Sequence, residues 1–155
     1  MNNSKDNYEE LAIQEKNLEF ERFSRNDALA IGLTINEKAK KFSDPITIEI
    51  TLNGLVIFRY FSEGAVLDSE LWLVRKRNSV NLMSMSSLRF KYWLEVAGKT
   101  LEGRNLNASD YAAGGGGFPI NLKGTGLVGS ICVSGLANHL DDHQLIVDAI
   151  SEFLN

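Results

Sequence analysis

Residues 46–61 read ITIEITLNGLVIFRYF, and this stretch decides the fold. Ile46, Ile48, Ile50 and Leu52 alternate with Thr47, Glu49 and Thr51, the period-two pattern of a strand with two different faces. Asn53-Gly54 then supplies a two-residue reversal into a second β-rich run. A plain hairpin register sets Leu52 opposite Leu55, Ile50 opposite Ile57 and Arg59 opposite Ile48, while Val56, Phe58 and Tyr60 emerge on the other side. Apolar side chains on both faces require cover on both. Arg59 interrupts an apolar face; either a strand-end position, a buried carboxylate partner or a ligand carboxylate accounts for it.

Helical patterns surround this hairpin. A short polar helix is expected near residues 8–16, and Ser24 with Asp27 three residues on reads as a capping box. Behind it Ala28, Ile31, Ile35, Ala39 and Phe42 form one apolar stripe that ends before Pro45. From Asp68 the period becomes helical again, in two consecutive segments (68–83 and 86–98), the second with Phe90, Trp93, Leu94 and Ala97 on one side and Gly98 as its stop. The chain returns to strands at Phe118 to Leu122 and Leu127 to Ser134, and closes with a helix expected to be capped at Asp141, with an apolar stripe to dock on the sheet. Helices at both ends of a hairpin-built sheet, without β-α-β alternation, indicate an α+β domain with an antiparallel sheet.

Length and composition bound the function. At 155 residues the chain is one domain by size, read as a polar N-terminal helix or arm over residues 1–17 followed by a single domain over 18–155. With 44% hydrophobic and 23% charged residues it has ordinary globular composition. A net charge of −4 gives no overall cationic field for nucleic acid or for an acidic membrane. The N-terminus lacks an apolar signal core and no segment approaches the roughly 18 apolar residues of a membrane span, so a cytoplasmic location is expected. Cys132 is the single cysteine, lies in an apolar run, and reads as a buried structural thiol.

The feature that invites chemistry is DYAAGGGGFPINLKG, residues 110–124. Bunched glycine N–H groups suit an anion cradle. A phosphate loop, however, needs a preceding strand and a following helix, whereas Phe118-Pro119-Ile120 leads into a strand and no Gly-Lys-Ser/Thr follows. Two compatible readings stand: close backbone packing at a strand entry or subunit contact, and a cradle for a small ligand. His139 and His143 bracket Asp141 and Asp142, but a cap at Asp141 leaves His139 outside the helix, so a cap cluster is favoured over a metal site. Arg75, Lys76 and Arg77, with Arg89 and Lys91, form the one basic concentration, read as a solvated face or, in the alternative, as contacts for an anionic ligand or acidic partner. No nucleophile, triad or paired-carboxylate motif stands out, which leans the reading away from an enzyme.

The path through ELWLVRKRNSV, MSSLRF, YAAGGGGFPI, GLVGSICVSGL and DDHQLIVDAI resembles the haem-degrading-domain family, which includes GlcG-like and HbpS-like proteins and the C-terminal domain of PduO adenosyltransferases. It is most similar to the short single-domain branch, from about Leu18 onward. The resemblance implies a profilin-like fold, a five-stranded antiparallel sheet with helices on both faces in three layers, assembled as a dimer or higher ring. It also implies that the glycine run and Pro119 enter a central strand beside a subunit contact and a pocket. The matching positions are Gly115, Gly116, Gly117, Phe118, Pro119, Ser134, Gly135, Asp142 and His143, to which Arg75 and Arg59 are added as basic candidates. Haem is the cofactor the resemblance raises. Where that branch often carries a histidine before the Ser-Ser pair, this chain has Met85, which counts against a histidine-dependent haem or metal site. The resulting expectation is an oligomeric binding or adaptor protein for a small anionic ligand, the alternative being a haem, tetrapyrrole or corrinoid binder or haem-degrading enzyme.

Overall fold

The computed structural model describes residues 3–155. The hairpin is its centre: β1 (Thr47–Leu52) and β2 (Leu55–Phe61) pair antiparallel across Asn53 and Gly54, both at positive φ (51° and 83°), as a tight two-residue turn requires. Leu52 faces Leu55, but a bulge between Ile50 and Thr51 displaces the register beyond it. Ile50 therefore faces Phe58 instead of Ile57, and Arg59 faces Glu49 instead of Ile48. One extra residue moves every side chain past it to the other face, so the guanidinium leaves the isoleucine face and meets a carboxylate.

The sheet is completed by β3 (Gly117–Leu122) and β4 (Gly126–Ser134), in the order β2-β1-β4-β3, all antiparallel. It has four strands where five were expected. The place of the fifth is taken by Phe20, which makes a single parallel bridge to Leu122, donating to Asn121 O at 2.8 Å and accepting from Lys123 N at 2.9 Å. Four residues later Ser24 caps the next helix, so the segment ends before it can extend into a strand. β3 is thus an edge strand and not a central one, which is where a proline without an N–H is tolerated.

The two sheet faces differ in chemistry. On one, Ile48, Ile50, Ile131 and Val133 join a continuous apolar core with Ala28, Ile31 and Ile35 of α2 (Arg25–Ala39) and Leu145, Ile146 and Ile150 of α5 (His139–Leu154). On the other, Thr47, Glu49, Thr51 and Ser130 are equally buried and polar, with the Cys132 thiol among them, and α3 (Leu67–Met83) packs there. Burial without water obliges these groups to pair: Thr51 and Ser130 share a hydroxyl bond of 2.7 Å, and Glu49 takes Arg59 and Arg77. Among the described residues, five α-helices and a four-stranded antiparallel sheet make this an α+β fold.

The helix ends follow the local signals in part. Ser24 and Asp27 form the full capping box of α2. α4 (Ser87–Ala97) stops at Gly98, in the left-handed region at φ 64°; Phe90 and Leu94 are buried, while Ala97 lies exposed off the packed stripe. α1 (Ser4–Asn17) packs against α4, where Glu15 is buried beside Arg89. α5 begins earlier than expected, at His139, with Asn138 as its cap accepting from Leu140 N. Asp141 therefore sits inside the first turn, and His139 and His143 are one turn apart on the helix. Among the described residues no helix is long and apolar enough to cross a membrane.

Candidate functional site

A cavity of about 580 Å³ lies between α3, the start of α5 and the long loop that enters β3. Trp72, Leu101, Tyr111 and Leu136 give it apolar walls; Lys76, His139 and Asp142 bring polar atoms to it. The loop wall is fastened to α3 by three side chains of that helix. Arg75 Nε donates to Ser109 O at 3.1 Å, Asn78 Nδ2 to Asp110 O at 2.8 Å, and the Ser79 hydroxyl both donates to Ala112 O and accepts from Ala112 N. Arg75 also stacks on Trp72, 4.5 Å from its ring, beside the cavity.

The glycine run is where these elements meet, and each of its last three members lacks a side chain for a separate reason. A Cβ at Gly115 would strike the carbonyl oxygen of His139, and one at Gly117 would crowd Lys76 O, Ser87 Oγ and Val80, each at 3.0 Å. Gly116 stands at φ 122°, and a Cβ there would collide with Val133 O and lie 2.5 Å from Lys76 Nζ. The backbone is held by Gly115 N donating to His139 Nδ1 (2.8 Å), Gly117 N to Ser87 Oγ (2.9 Å) and Val133 N to Gly116 O (2.7 Å). The N–H groups of Gly115 and Gly117 are therefore committed within the protein and do not form the expected anion cradle.

What reaches the cavity instead is Lys76. Its ammonium, in a side chain only 7% exposed, donates to Val133 O at 2.9 Å and pairs with Asp142 Oδ2 at 3.3 Å, whose other oxygen accepts from Leu136 N. Burial raises the Asp142 carboxyl to about 6 against the pull of Lys76 in the opposite direction. His139 is held below its ordinary value by burial, with Lys91 and Lys76 adding to the effect. Its Nδ1 is an acceptor for Gly115, so the neutral ring carries its proton on Nε2.

Of the residues singled out from the sequence, Gly115, Ser134 and Asp142 line the cavity. Gly116, Gly117, Phe118 and Pro119 form its buried support. Gly135, at φ 122°, clears the Pro45 carbonyl. His143 lies beneath, 3% exposed, against Phe118 and bonded through Nε2 to Gln14 of α1 at 2.7 Å, its Nδ1 without a partner among the described residues; burial pushes it down to about 4. Arg59 is remote from the cavity, paired with Glu49 and Glu70. Cys132 is fully buried in the sheet, and burial, with Glu49 adding to it, pushes its thiol up to about 12, the state of an unreactive thiol. Among the described residues no group of three His, Cys, Asp or Glu side chains is placed to hold a metal ion.

Sequence reasoning did not single out Lys76 within the basic run, which it read as a solvated face or, in the alternative, as contacts for an anionic ligand or acidic partner. The signal was present: Lys76 is three residues after Leu73 and four before Val80, so it stands on the buried stripe of α3 while Arg75 and Arg77 flank it. His139 was missed because its place depended on the cap.

A family model described as "Haem degrading protein HbpS-like" matches residues 23–151. A UPF0303 protein of Azotobacter vinelandii is 41% identical over 155 residues, covering 99% of this chain and 92% of that protein. Among solved structures, that of Ybr137w protein aligns with a TM-score of 0.85 at 28% identity, over 94% of this chain and 86% of that one. A PduOC:heme complex aligns with a TM-score of 0.65 at 19% identity, over 82% and 94% respectively.

Proposed function

We propose that this chain, which belongs to the HbpS-like haem-degrading-protein family, is a binding protein whose cavity beside the glycine run takes a small, largely apolar molecule. One observation carries the reading. A cavity of about 580 Å³ has an apolar wall of Trp72, Leu101, Tyr111 and Leu136 and a few convergent polar atoms, the composition typical of ligand sites. Lys76 and Asp142 are bonded to each other and to the backbone, an arrangement that orients a ligand and does not present a free nucleophile or base.

Ligand-observed NMR screening of a fragment library against the full chain tests this. At least one fragment class is expected to bind saturably, and Ala137→Trp, at an exposed residue of the lining, is expected to abolish that binding. Absence of any binding, or binding indifferent to the tryptophan, overturns the reading.

Haem is the second reading, supported by the fold shared with the PduOC:heme complex. The imidazoles here do not fit an iron ligand. A metal-bound histidine donates its other ring N–H, whereas His139 Nδ1 accepts from Gly115, and His143 Nε2 is held by Gln14 in the interior. The side chain of haem-ligating type that does fit is Tyr111, which lines the cavity and whose phenol has no hydrogen bond among the described residues. A saturable Soret shift with haemin that disappears in Tyr111→Phe would favour this reading over the first.

A further inference from the structure

We propose that the cavity selects molecules that carry a carboxylate on a flat apolar body, with Lys76 Nζ and His139 Nε2 as the two donors that receive it; this deepens the binding reading above and rests on it. Lys76 and His139 flank the same short piece of backbone. His139 Nδ1 bonds the Gly115 N–H, and Lys76 Nζ lies next to the Gly116 α-carbon, where that glycine's missing side chain gives it room. An ammonium has three donors, and two of those on Lys76 have protein acceptors, Val133 O and Asp142 Oδ2. The third belongs to the one cationic side chain of the lining. His139 adds a second donor of fixed identity, because the Gly115 N–H holds the ring in the tautomer protonated at Nε2.

The charge around the cavity has the matching sign. Asp142 is the one acid in the lining, and both its oxygens are held, one by Lys76 and one by the Leu136 N–H. Arg75, stacked on the lining residue Trp72, adds a second positive charge beside the cavity and has no ion-pair partner among the described residues. Among the charged groups of the lining, a ligand ammonium would meet a like charge on Lys76 and a carboxylate already engaged. A carboxylate accepts from both donors at once, and the ring faces of Trp72 and Tyr111 suit a planar body behind it.

The test uses three probes with one ring system and different head groups: 2-naphthoate, 2-naphthamide and 2-naphthylmethylamine, titrated against the full chain by NMR. Naphthoate is expected to bind at least tenfold more tightly than either other probe. Lys76→Met is expected to weaken naphthoate at least fivefold while leaving naphthamide within twofold. Should the loss of Lys76 unfold the chain, His139→Asn serves instead: the asparagine oxygen stands near the position of Nδ1 and still accepts from Gly115, while the Nε2 donor is gone, and the same fivefold loss is expected. Equal or tighter binding of the amide or the amine overturns carboxylate selection and leaves the binding reading standing. Failure of all three probes overturns this inference, while the library screen decides the binding reading separately.

Discussion

Gly116 stands at φ 122° with the Val133 carbonyl and the Lys76 ammonium closed around its α-carbon. Gly116→Ala adds left-handed strain to a collision with rigid backbone, and the expected cost is roughly 3 kcal/mol in urea denaturation. Gly114→Ala is the contrast, since a Cβ there is 3.5 Å from His139 Nδ1, an ordinary contact at an ordinary φ, and near-parental stability is expected. Two neighbouring residues of α5 give the stability opposite pH slopes. His143 falls from an ordinary 6.5 to about 4 when folded, so its neutral, buried form contributes fully above pH 6.5 and that contribution is lost as pH falls toward 4. Asp142 rises from 3.8 to about 6, so the cost of its buried charge is present above 6 and is relieved as pH falls toward 3.8. Between pH 7 and 4.5, His143→Gln is expected to gain on the parent by roughly 2 kcal/mol, and Asp142→Asn to lose by a similar amount. Parallel shifts of both variants in chemical denaturation would contradict the assignment.

At the scale of elements, the buried carboxylate of Glu49 ties the hairpin to α3, inside the outer Arg59–Glu70 pair. Glu49 of β1 is fully buried and receives Arg59 Nε from β2 at 3.1 Å and Arg77 Nη1 from α3 at 2.8 Å. Both arginines are partly exposed, at 31% and 24% of their side chains, and return to water at modest cost when the partner is changed. Arg59→Met and Arg77→Met are therefore each expected to cost about 1 kcal/mol, since Glu49 keeps one cation. The double variant leaves the carboxylate uncompensated in the interior and is expected to cost about 4 kcal/mol, well above the sum. Additive costs in a urea double-mutant cycle would show that water reaches Glu49. The bulge is what makes this tie, and the alternating pattern of residues 46–61 does not announce it: both registers bury the same isoleucines, and only the α3 face, assembled from residues 67–83, distinguishes them.

For the whole molecule, the outer edge of β2 has no strand paired to it among the described residues. Leu55, Val56 and Tyr60 are 52%, 40% and 41% exposed on that strand, and α2, which packs its Gly32 against Phe58, carries Leu33 at 56%. An unprotected edge flanked by apolar side chains favours pairing with another chain. We propose a second copy of this chain as that partner, and light scattering at micromolar concentration is expected to give at least a dimer mass, reduced to the monomer in Tyr60→Lys/Leu33→Glu. A monomer mass for the parent rejects the proposal.

The sequence by itself determined the elements whose causes are local. The Asn53-Gly54 reversal, the Ser24 capping box, the Gly98 stop and the two-faced alternation of β1 depend on residues within a few positions of one another, and each stands where those residues place it. The position of the candidate site beside the glycine run was legible too, because consecutive glycines before a strand signal close approach of backbone. Only the tertiary structure decided what approaches. Lys76 became the ammonium of the cavity and not a solvated charge because Asp142 and Val133 O, 66 and 57 residues away in the chain, meet it beneath α3. The Phe20 bridge replaced a fifth strand because the capped start of α2 follows too soon for a longer pairing. Pairing across such separations is set by which surfaces exclude water together, and that is a property of the assembled layers, not of any window of the chain.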